Sequence, residues 1–100
     1  MKKIPDEFKK NGFNYCKSLR VGNICVYFQV LDGKAIAYEV MIVRLRKREI
    51  VIANRVISRE GDEYLPGNEE FGRYGWTYPE LKHAKNKVIE LIEKFKSKEE

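Results

Sequence analysis

Residues 24–42 read ICVYFQVLDGKAIAYEVMI, two runs rich in Val, Ile, Tyr and Phe that are separated by Asp32-Gly33. Asp-Gly between apolar runs favours a two-residue type I′ turn, which joins neighbouring antiparallel strands. Such a turn also fixes the pairing of the two strands. We therefore predict a β-hairpin with three opposed pairs: Val30 with Ala35, Phe28 with Ala37, and Tyr27 with Tyr38.

This register sorts the side chains into two faces, because successive strand residues point to opposite sides. We assign to a covering helix the face that carries Ile24, Val26, Phe28, Val30, Ala35, Ala37, Met41, Val43 and Leu45. The second face carries Cys25, Tyr27, Gln29, Leu31, Ile36, Tyr38, Val40 and Ile42, and then Arg44, Arg46 and Arg48. Glu39 falls on the first face, where a lone carboxylate is costly. It lies at the rim, it pairs with a cation, or the register differs.

The second face is also apolar, and a monomer rarely leaves a large continuous apolar surface in water. There are three candidates to cover this face: the aromatic loop around residues 71–76, the N-terminal segment with Ile4 and Phe8, or a second copy of the protein. Upstream, Val21-Gly22-Asn23 is another turn signal. Residues 13–58 therefore fit three or four antiparallel strands.

The C-terminal part of the chain has a helical pattern. Apolar residues recur there at steps of three and four, at Leu81, Ala84, Val88, Leu91, Ile92 and Phe95. Thr77 and Glu80 match a T-x-x-E capping box, which predicts a helix from Tyr78 to near Lys96. An isolated helix of this length is marginal in water, so its stripe must cover the sheet. The expected fold class is α+β: a three- to four-stranded antiparallel meander covered on one face by a long C-terminal helix.

Before this helix lie residues 63–80, EYLPGNEEFGRYGWTYPE, which are typical of a packed loop. Asn68 is expected to cap a helical turn that Gly72 closes. The aromatic residues of the loop either fill the core, which is the simpler interpretation for Trp76, or form an exposed interaction loop. The candidate interaction residues are Phe71, Tyr74 and Trp76.

Length and composition indicate one domain over residues 1–100, with possible fraying at residues 1–10 and 97–100. The chain is 43% apolar and 35% charged. Its N-terminus lacks a signal-peptide pattern, and no apolar run approaches the roughly 20 residues of a membrane span. We expect a cytoplasmic protein without a membrane partner.

Candidates for catalysis or metal binding are weak. Cys16 and Cys25 are expected to be reduced strand residues, with Cys16 opposite Gln29 rather than Cys25. His83 would be the one nitrogen ligand beside them, and zinc sites usually need three or four ligands. Solvation and capping are the simplest roles for the loop carboxylates, Glu60, Asp62, Glu63, Glu69 and Glu70. We predict no catalytic residue, metal, cofactor or small-molecule substrate.

Positive charge is concentrated in residues 43–59. This segment contains one acidic residue, Glu49, and six cations: Arg44, Arg46, Lys47, Arg48, Arg55 and Arg59. Its net charge is therefore +5, which equals the formal charge of the whole chain. Alternation places Arg44, Arg46 and Arg48 on one side of a strand, with Tyr27 and Tyr38 upstream on the same face. Basic and aromatic side chains on a sheet can hold the phosphates and stack the bases of a nucleic-acid strand. The alternative is that the cations keep a hairpin soluble.

Two features carry a resemblance that covers residues 24–95. One is the strand that contains Tyr38-Glu39-Val40, and the other, more specific one is the core of the loop, with the outline acidic-Pro-x-Asn-Glu-x-Phe-Gly-x-x-Gly-Trp-x-Tyr. The chain resembles a group of small uncharacterised proteins encoded in phages and mobile elements of Bacteroides-type bacteria. This resemblance brings no activity, cofactor or catalytic residue with it, and it implies only a setting in which small accessory proteins often act by binding nucleic acid or a host protein. Two functions therefore stay open: nucleic-acid binding through the basic strand hairpin expected in residues 43–59, or protein interaction or homodimerisation through the aromatic loop or the uncovered sheet face.

Overall fold

Five antiparallel strands form the main sheet of the protein, and a C-terminal helix lies across one face of it. The computed structural model describes residues 2–99. In chain order these contain β1 (Glu7–Lys10), β2 (Phe13–Val21), β3 (Ile24–Leu31), β4 (Lys34–Ile42), β5 (Arg44–Leu45), β6 (Ile50–Ile52), β7 (Arg55–Ser58), β8 (Glu63–Tyr64), the 3₁₀ turn η1 (Asn68–Glu70), β9 (Gly75–Tyr78) and α1 (Leu81–Glu99). The main sheet has the order β1-β2-β3-β4-β9, and β5-β8 and β6-β7 form two small sheets. The predicted α+β class is confirmed, with five strands where three or four were expected.

Two tight turns connect the first four strands in pairs. Asp32 and Gly33 have φ values of 51° and 77°, as a type I′ turn requires, so the predicted hairpin of β3 and β4 is confirmed. Asn11 and Gly12 form a turn of the same kind, with φ values of 54° and 83°. This turn makes Glu7–Lys10 an edge strand, although residues 1–10 were considered a frayed end. Met1 and Glu100, which belong to the two ends predicted to fray, lie outside the described residues.

A β-bulge in β4 changes the predicted register. Val30 lies opposite Ala35 as expected, but Ile36 is an extra residue, and beyond it Gln29 pairs with Ala37 and Phe28 with Tyr38. The predicted pairs of Phe28 with Ala37 and Tyr27 with Tyr38 are therefore wrong. One extra residue transfers every later side chain of the strand to the other face.

The bulge exchanges the two sets of β4 side chains between the faces of the sheet. Tyr38, Val40 and Ile42 lie on the side of α1, whereas Ala37, Met41 and Val43 lie on the second face, contrary to the prediction. Glu39 also moves to the second face, opposite Tyr27. The inconsistency that this carboxylate posed was therefore caused by the register.

A second bulge lies in β2, between Lys17 and Leu19. It places Cys16 opposite Phe28 instead of the predicted Gln29. Because Phe28 and Cys25 are on opposite faces of β3, the two cysteines also point to opposite faces. Both are free thiols.

The apolar stripe of α1 covers the first face of the sheet, as predicted. The cluster of buried residues there consists of Ile24, Val26, Val40, Ala84, Val88 and Leu91, with Ile92 and Phe95 packed against it. Side chains spaced by three and four residues share one side of a helix, and the described part of α1 has its charged residues on the other. Burial of this stripe holds the helix on the sheet.

The helix begins three residues later than predicted. Gly75–Tyr78 form β9, which pairs with β4, so Thr77 is a strand residue opposite Glu39. Its hydroxyl donates a hydrogen bond to the Glu39 carboxylate at 3.4 Å, and the predicted capping box with Glu80 is not formed. Pairing with the open edge of β4 satisfies backbone groups that an additional helical turn would otherwise have bonded.

The second face of the sheet is covered by the N-terminal segment and the loop after β8, two of the three predicted candidates. Ile4 is buried there, and Phe8, Leu65 and Phe71 pack against the same cluster. Its other buried members are Tyr15, Cys25, Tyr27, Met41 and Val43. The domain therefore has an apolar cluster on each side of its main sheet.

Trp76 lies on the helix side of β9, half-buried, with Lys87 Nζ 4.2 Å from the centroid of its ring. Trp76→Ala is expected to lower the free energy of unfolding by about 2 kcal/mol, since the side chain packs on the core without being fully enclosed. Chemical denaturation followed by circular dichroism measures this loss. Trp76→Phe should lose less than half as much stability as Trp76→Ala. An alanine variant as stable as the wild type would contradict a packing role.

Candidate functional site

The structure does not bring the five predicted nucleic-acid-binding residues together. Tyr27 is fully buried beneath the N-terminal segment, and its hydroxyl donates a 2.5 Å hydrogen bond to the carbonyl of Pro5. Tyr38 lies on the helix side, with its ring edge against Phe28 at 5.2 Å. Neither tyrosine therefore shares an exposed face with the arginines. The bulge at Ile36 and the covering of the second face are the physical reasons for this difference.

Arg44 is held within the protein. Its guanidinium donates to the Glu70 carboxylate at 2.6 Å and lies 3.9 Å from the ring centroid of Tyr74 and 4.8 Å from that of Tyr64. The Arg44 guanidinium lowers the pKa of Glu70 below its usual value. Ion pairing and stacking of this kind fix the loop after β8 to the sheet. Arg44 is consequently a structural residue rather than a free phosphate ligand.

The strand on which the three arginines were predicted to line up is interrupted. β5 contains two residues, Arg44 and Leu45, and beyond it the Arg46 N–H donates to the Asp62 carbonyl at 2.9 Å. The Arg46 guanidinium lies 3.8 Å from the ring centroid of Tyr64. Arg48 is exposed. Of the predicted arginines, Arg48 alone is fully available to a ligand.

The three predicted interaction residues of the aromatic loop point to different parts of the molecule. Phe71 packs in the second-face cluster, Tyr74 stacks on Arg44, and Trp76 packs on the helix side. All three are half-buried. They do not form one exposed aromatic surface.

The turn within this loop is capped differently from the prediction. Asn68 is the first residue of η1 and makes no side-chain capping bond, whereas the Gly67 N–H donates to the Glu70 carboxylate at 3.1 Å. Glu70 therefore caps the turn and also forms an ion pair with Arg44. A carboxylate accepts several hydrogen bonds, which makes it suited to both roles.

Asp62 and Glu63 fix the N-terminal segment. The Asp62 carboxylate accepts hydrogen bonds from the N–H groups of Lys2 and Arg59, at 2.8 and 2.9 Å. Glu63 accepts the Ile4 N–H at 3.0 Å and both terminal nitrogens of Arg20 at 2.8 and 2.5 Å. The Arg20 guanidinium lowers the pKa of Glu63 to about 2. These carboxylates act as structural clamps, a role that their sequence pattern does not reveal.

Two reactive side chains considered in the sequence lie in different parts of the molecule: Cys25 is in the second-face cluster, and His83 is on the surface of α1. Burial raises the pKa of the Cys25 thiol to about 12, so it is protonated at neutral pH. His83 is exposed on α1 and lies 3.5 Å from the carboxylate of Glu80, the residue before the helix. Among the side chains of residues 2–96 no three metal-ligating groups come together.

The most unusual surface is the hairpin of β6 and β7, joined by Ala53-Asn54 with φ values of 52° and 63°. Its two strands pair with each other as a separate sheet. Four of its aliphatic side chains are between 44% and 61% exposed: Val51, Ile52, Val56 and Ile57. Val51 lies opposite Val56 on one face, and Ile52 lies opposite Arg55 on the other. We call residues 47–59 the apolar hairpin.

Cations surround these aliphatic residues. Lys47, Arg48, Arg55 and Arg59 are all exposed, and Glu49 is the one acidic residue in the apolar hairpin. The charges were predicted from the sequence, but the apolar surface between them was not. The missed signal is Ile-Val-Ile before the turn and Val-Ile after it, since aliphatic residues at consecutive strand positions place apolar side chains on both faces.

Comparison of the chain with family models, curated proteins and solved structures gives no match. The search for membrane spans also has a negative result: no helix in the described part of the chain combines the length and apolar composition needed to cross a bilayer.

Proposed function

We propose that the protein is a binding module whose apolar hairpin captures an acidic, extended segment of a partner protein. The single observation that carries this proposal is the set of aliphatic side chains exposed on both faces of β6 and β7. Exposed apolar side chains surrounded by charges are typical of a protein-interaction site. A solubilising role predicts charged side chains at these positions instead.

The size of the hairpin supports the same conclusion. β6 has three residues and β7 has four, and an isolated two-stranded ribbon is marginally stable in water. Within the described chain each strand has one neighbour, so its outer edge presents unpaired backbone groups. A partner strand that adds to such an edge supplies hydrogen bonds and apolar contact together.

Charge complementarity identifies the chemistry of the partner. Four exposed cations stand against Glu49, which gives residues 47–59 a net charge of +3. Two hairpins of this protein would bring like charges together, and this disfavours a second copy as the occupant. An alternating aliphatic and acidic strand fits the edge of β7, with its aliphatic side chains beside Val56 and its carboxylates beside Arg55. The host-protein partner and the cytoplasmic location expected from the sequence belong to this proposal.

A defined peptide tests the proposal. A fluorescent peptide that alternates valine and glutamate is expected to bind, and the double variant Val51→Ser/Val56→Ser should weaken its binding by roughly tenfold or more, because two apolar contacts are lost. Fluorescence anisotropy measures both affinities. Ile89→Ser, which removes an equally exposed aliphatic side chain from α1, should leave the affinity unchanged. A valine-lysine peptide that binds equally well would contradict the role of the cations.

Nucleic-acid binding remains the second candidate, and the four exposed cations of the apolar hairpin favour it. A β-ribbon with flanking cations can follow a phosphate backbone through its charged side chains. A mixed single-stranded oligonucleotide distinguishes this function from the first. Affinity that falls steeply with salt, and that is lost on joint replacement of Lys47, Arg48, Arg55 and Arg59 by glutamine but not in the double serine variant, would replace the protein partner with nucleic acid.

A further inference from the structure

A small cavity lies on the second face of the sheet, away from α1 and outside the apolar hairpin. Its volume is about 190 Å³, and it is bounded by β1, β2, β4 and the loop that follows β8. Its walls are formed by Phe8, Lys10, Tyr15, Glu39, Met41, Leu65, Pro66 and Phe71. Sites for drug-sized ligands usually have about 300–1,000 Å³, so this cavity suits a smaller group.

Aromatic and aliphatic side chains make up most of the cavity wall. Phe8 and Tyr15 stack with their ring centroids 4.8 Å apart, and Phe71 packs against the same cluster. The Tyr15 hydroxyl accepts a hydrogen bond from Gln29 at 3.1 Å and keeps its own proton to donate. Aromatic side chains in a cavity wall provide apolar contact and also attract cations.

Glu39 adds a carboxylate to this apolar wall. It is half-buried, and burial raises its pKa above the usual value. Among the described residues its carboxylate has one hydrogen-bond donor, Thr77 at 3.4 Å, and no cation lies within 4 Å of it. Lys10 also lines the cavity, and its charge acts on Glu39 from a greater distance. The bulge at Ile36 aims Glu39 at this face, although an apolar residue would pack there more favourably.

We infer that this cavity binds an alkylammonium group, with the ammonium at the Glu39 carboxylate and its alkyl chain among Phe8, Tyr15 and Phe71. A half-buried carboxylate without a close cation gains most from a ligand that supplies the opposite charge. The aromatic rings favour the same ligand, because they attract cations and remove alkyl surface from water. The cavity volume limits the ligand to a short chain. This inference is independent of the function of the apolar hairpin.

Titration with n-butylammonium, followed by the amide chemical shifts of the protein, tests the inference. Saturable shifts are expected around the cavity, and n-butanol, which has the same chain without the charge, should bind at least tenfold more weakly. Glu39→Gln should weaken the binding of n-butylammonium by a similar factor. Glu60→Gln, which removes an exposed charge, should leave the affinity for n-butylammonium unchanged. Equal binding of n-butanol and n-butylammonium would overturn the inference.

Lys10→Gln provides a test of opposite sign that does not depend on the stability of the Glu39 variant. Removal of the lysine charge should strengthen n-butylammonium binding several-fold, because Glu39 then attracts the ligand without competition. Unchanged or weaker binding in this variant would overturn the inference. A second ligand, Nα-acetyl-lysine amide, distinguishes two sources of the ammonium group. Tighter binding of this compound than of n-butylammonium supports a lysine side chain of a partner, and weaker binding supports a free amine.

Discussion

Replacing Tyr27 with alanine is expected to lower the free energy of unfolding by about 4 kcal/mol. Tyr27 is 0% exposed and is the largest of the fully buried side chains within residues 2–96. The edge of its ring contacts Phe8 at a centroid distance of 5.1 Å, and Phe8 in turn stacks on Tyr15. Truncation would leave a cavity between the sheet and the N-terminal segment. Such a loss is a large fraction of the stability of a domain of this size.

Tyr27→Phe separates packing from hydrogen bonding. It keeps the ring and removes the bond to the Pro5 carbonyl, so the expected loss is about 1 kcal/mol. Urea denaturation measures both variants through the fluorescence of Trp76, the single tryptophan of the chain. If the alanine and phenylalanine variants were equally destabilised, packing against Phe8 would not be the main contribution of Tyr27.

Local signals explain the parts of the fold that the sequence predicts correctly. The stripe from Leu81 to Phe95 and the turn at Asp32-Gly33 each depend on residues close together in the chain, and both are present as expected. Asn11-Gly12 is an equally local signal, since Asn-Gly favours the same turn type. β1 was therefore predictable, and it was missed because the short segment before this turn was considered a frayed end.

The faces of β4 were not predictable in the same way. Ile36 is an ordinary strand residue, and nothing in its neighbourhood distinguishes a bulge from regular pairing. The start of the helix has a similar explanation. Thr77 and Glu80 match a capping box, but Gly75–Tyr78 pair with an edge of β4 that is more than thirty residues away in the chain. Long-range pairing overrides a local pattern in both cases.

The candidate site shows the same division between local and long-range information. The concentration of cations in residues 43–59 is evident from the sequence, but the ion pair of Arg44 with Glu70 joins residues that are 26 positions apart. Which arginines are free therefore depends on the tertiary structure. Consecutive aliphatic residues in β6 and β7 were visible in the sequence, and their exposure was not, because the same pattern is usual in strands buried on both faces.

Glu63→Gln is expected to destabilise the protein by about 3 kcal/mol at pH 7 and by much less near pH 2. The Glu63 side chain is 13% exposed and binds Arg20 through both carboxylate oxygens. Its pKa is about 2 in the folded protein and 4.5 in the reference state. A depressed folded pKa stabilises the native state above pH 4.5, and this contribution is lost as the pH falls from 4.5 to about 2.

Comparison of the two proteins across this pH range isolates Glu63 from the other carboxylates. Asp62 and Glu70 also have lowered pKa values, so both proteins lose stability in acid, but the difference between them reports Glu63 alone. Urea denaturation at several pH values between 7 and 2 should show this difference shrinking as Glu63 becomes protonated in the wild type. A gap that stayed constant would mean that glutamine disturbs packing around Ile4 and Arg20, and that the charge of the clamp contributes little to the stability of the fold.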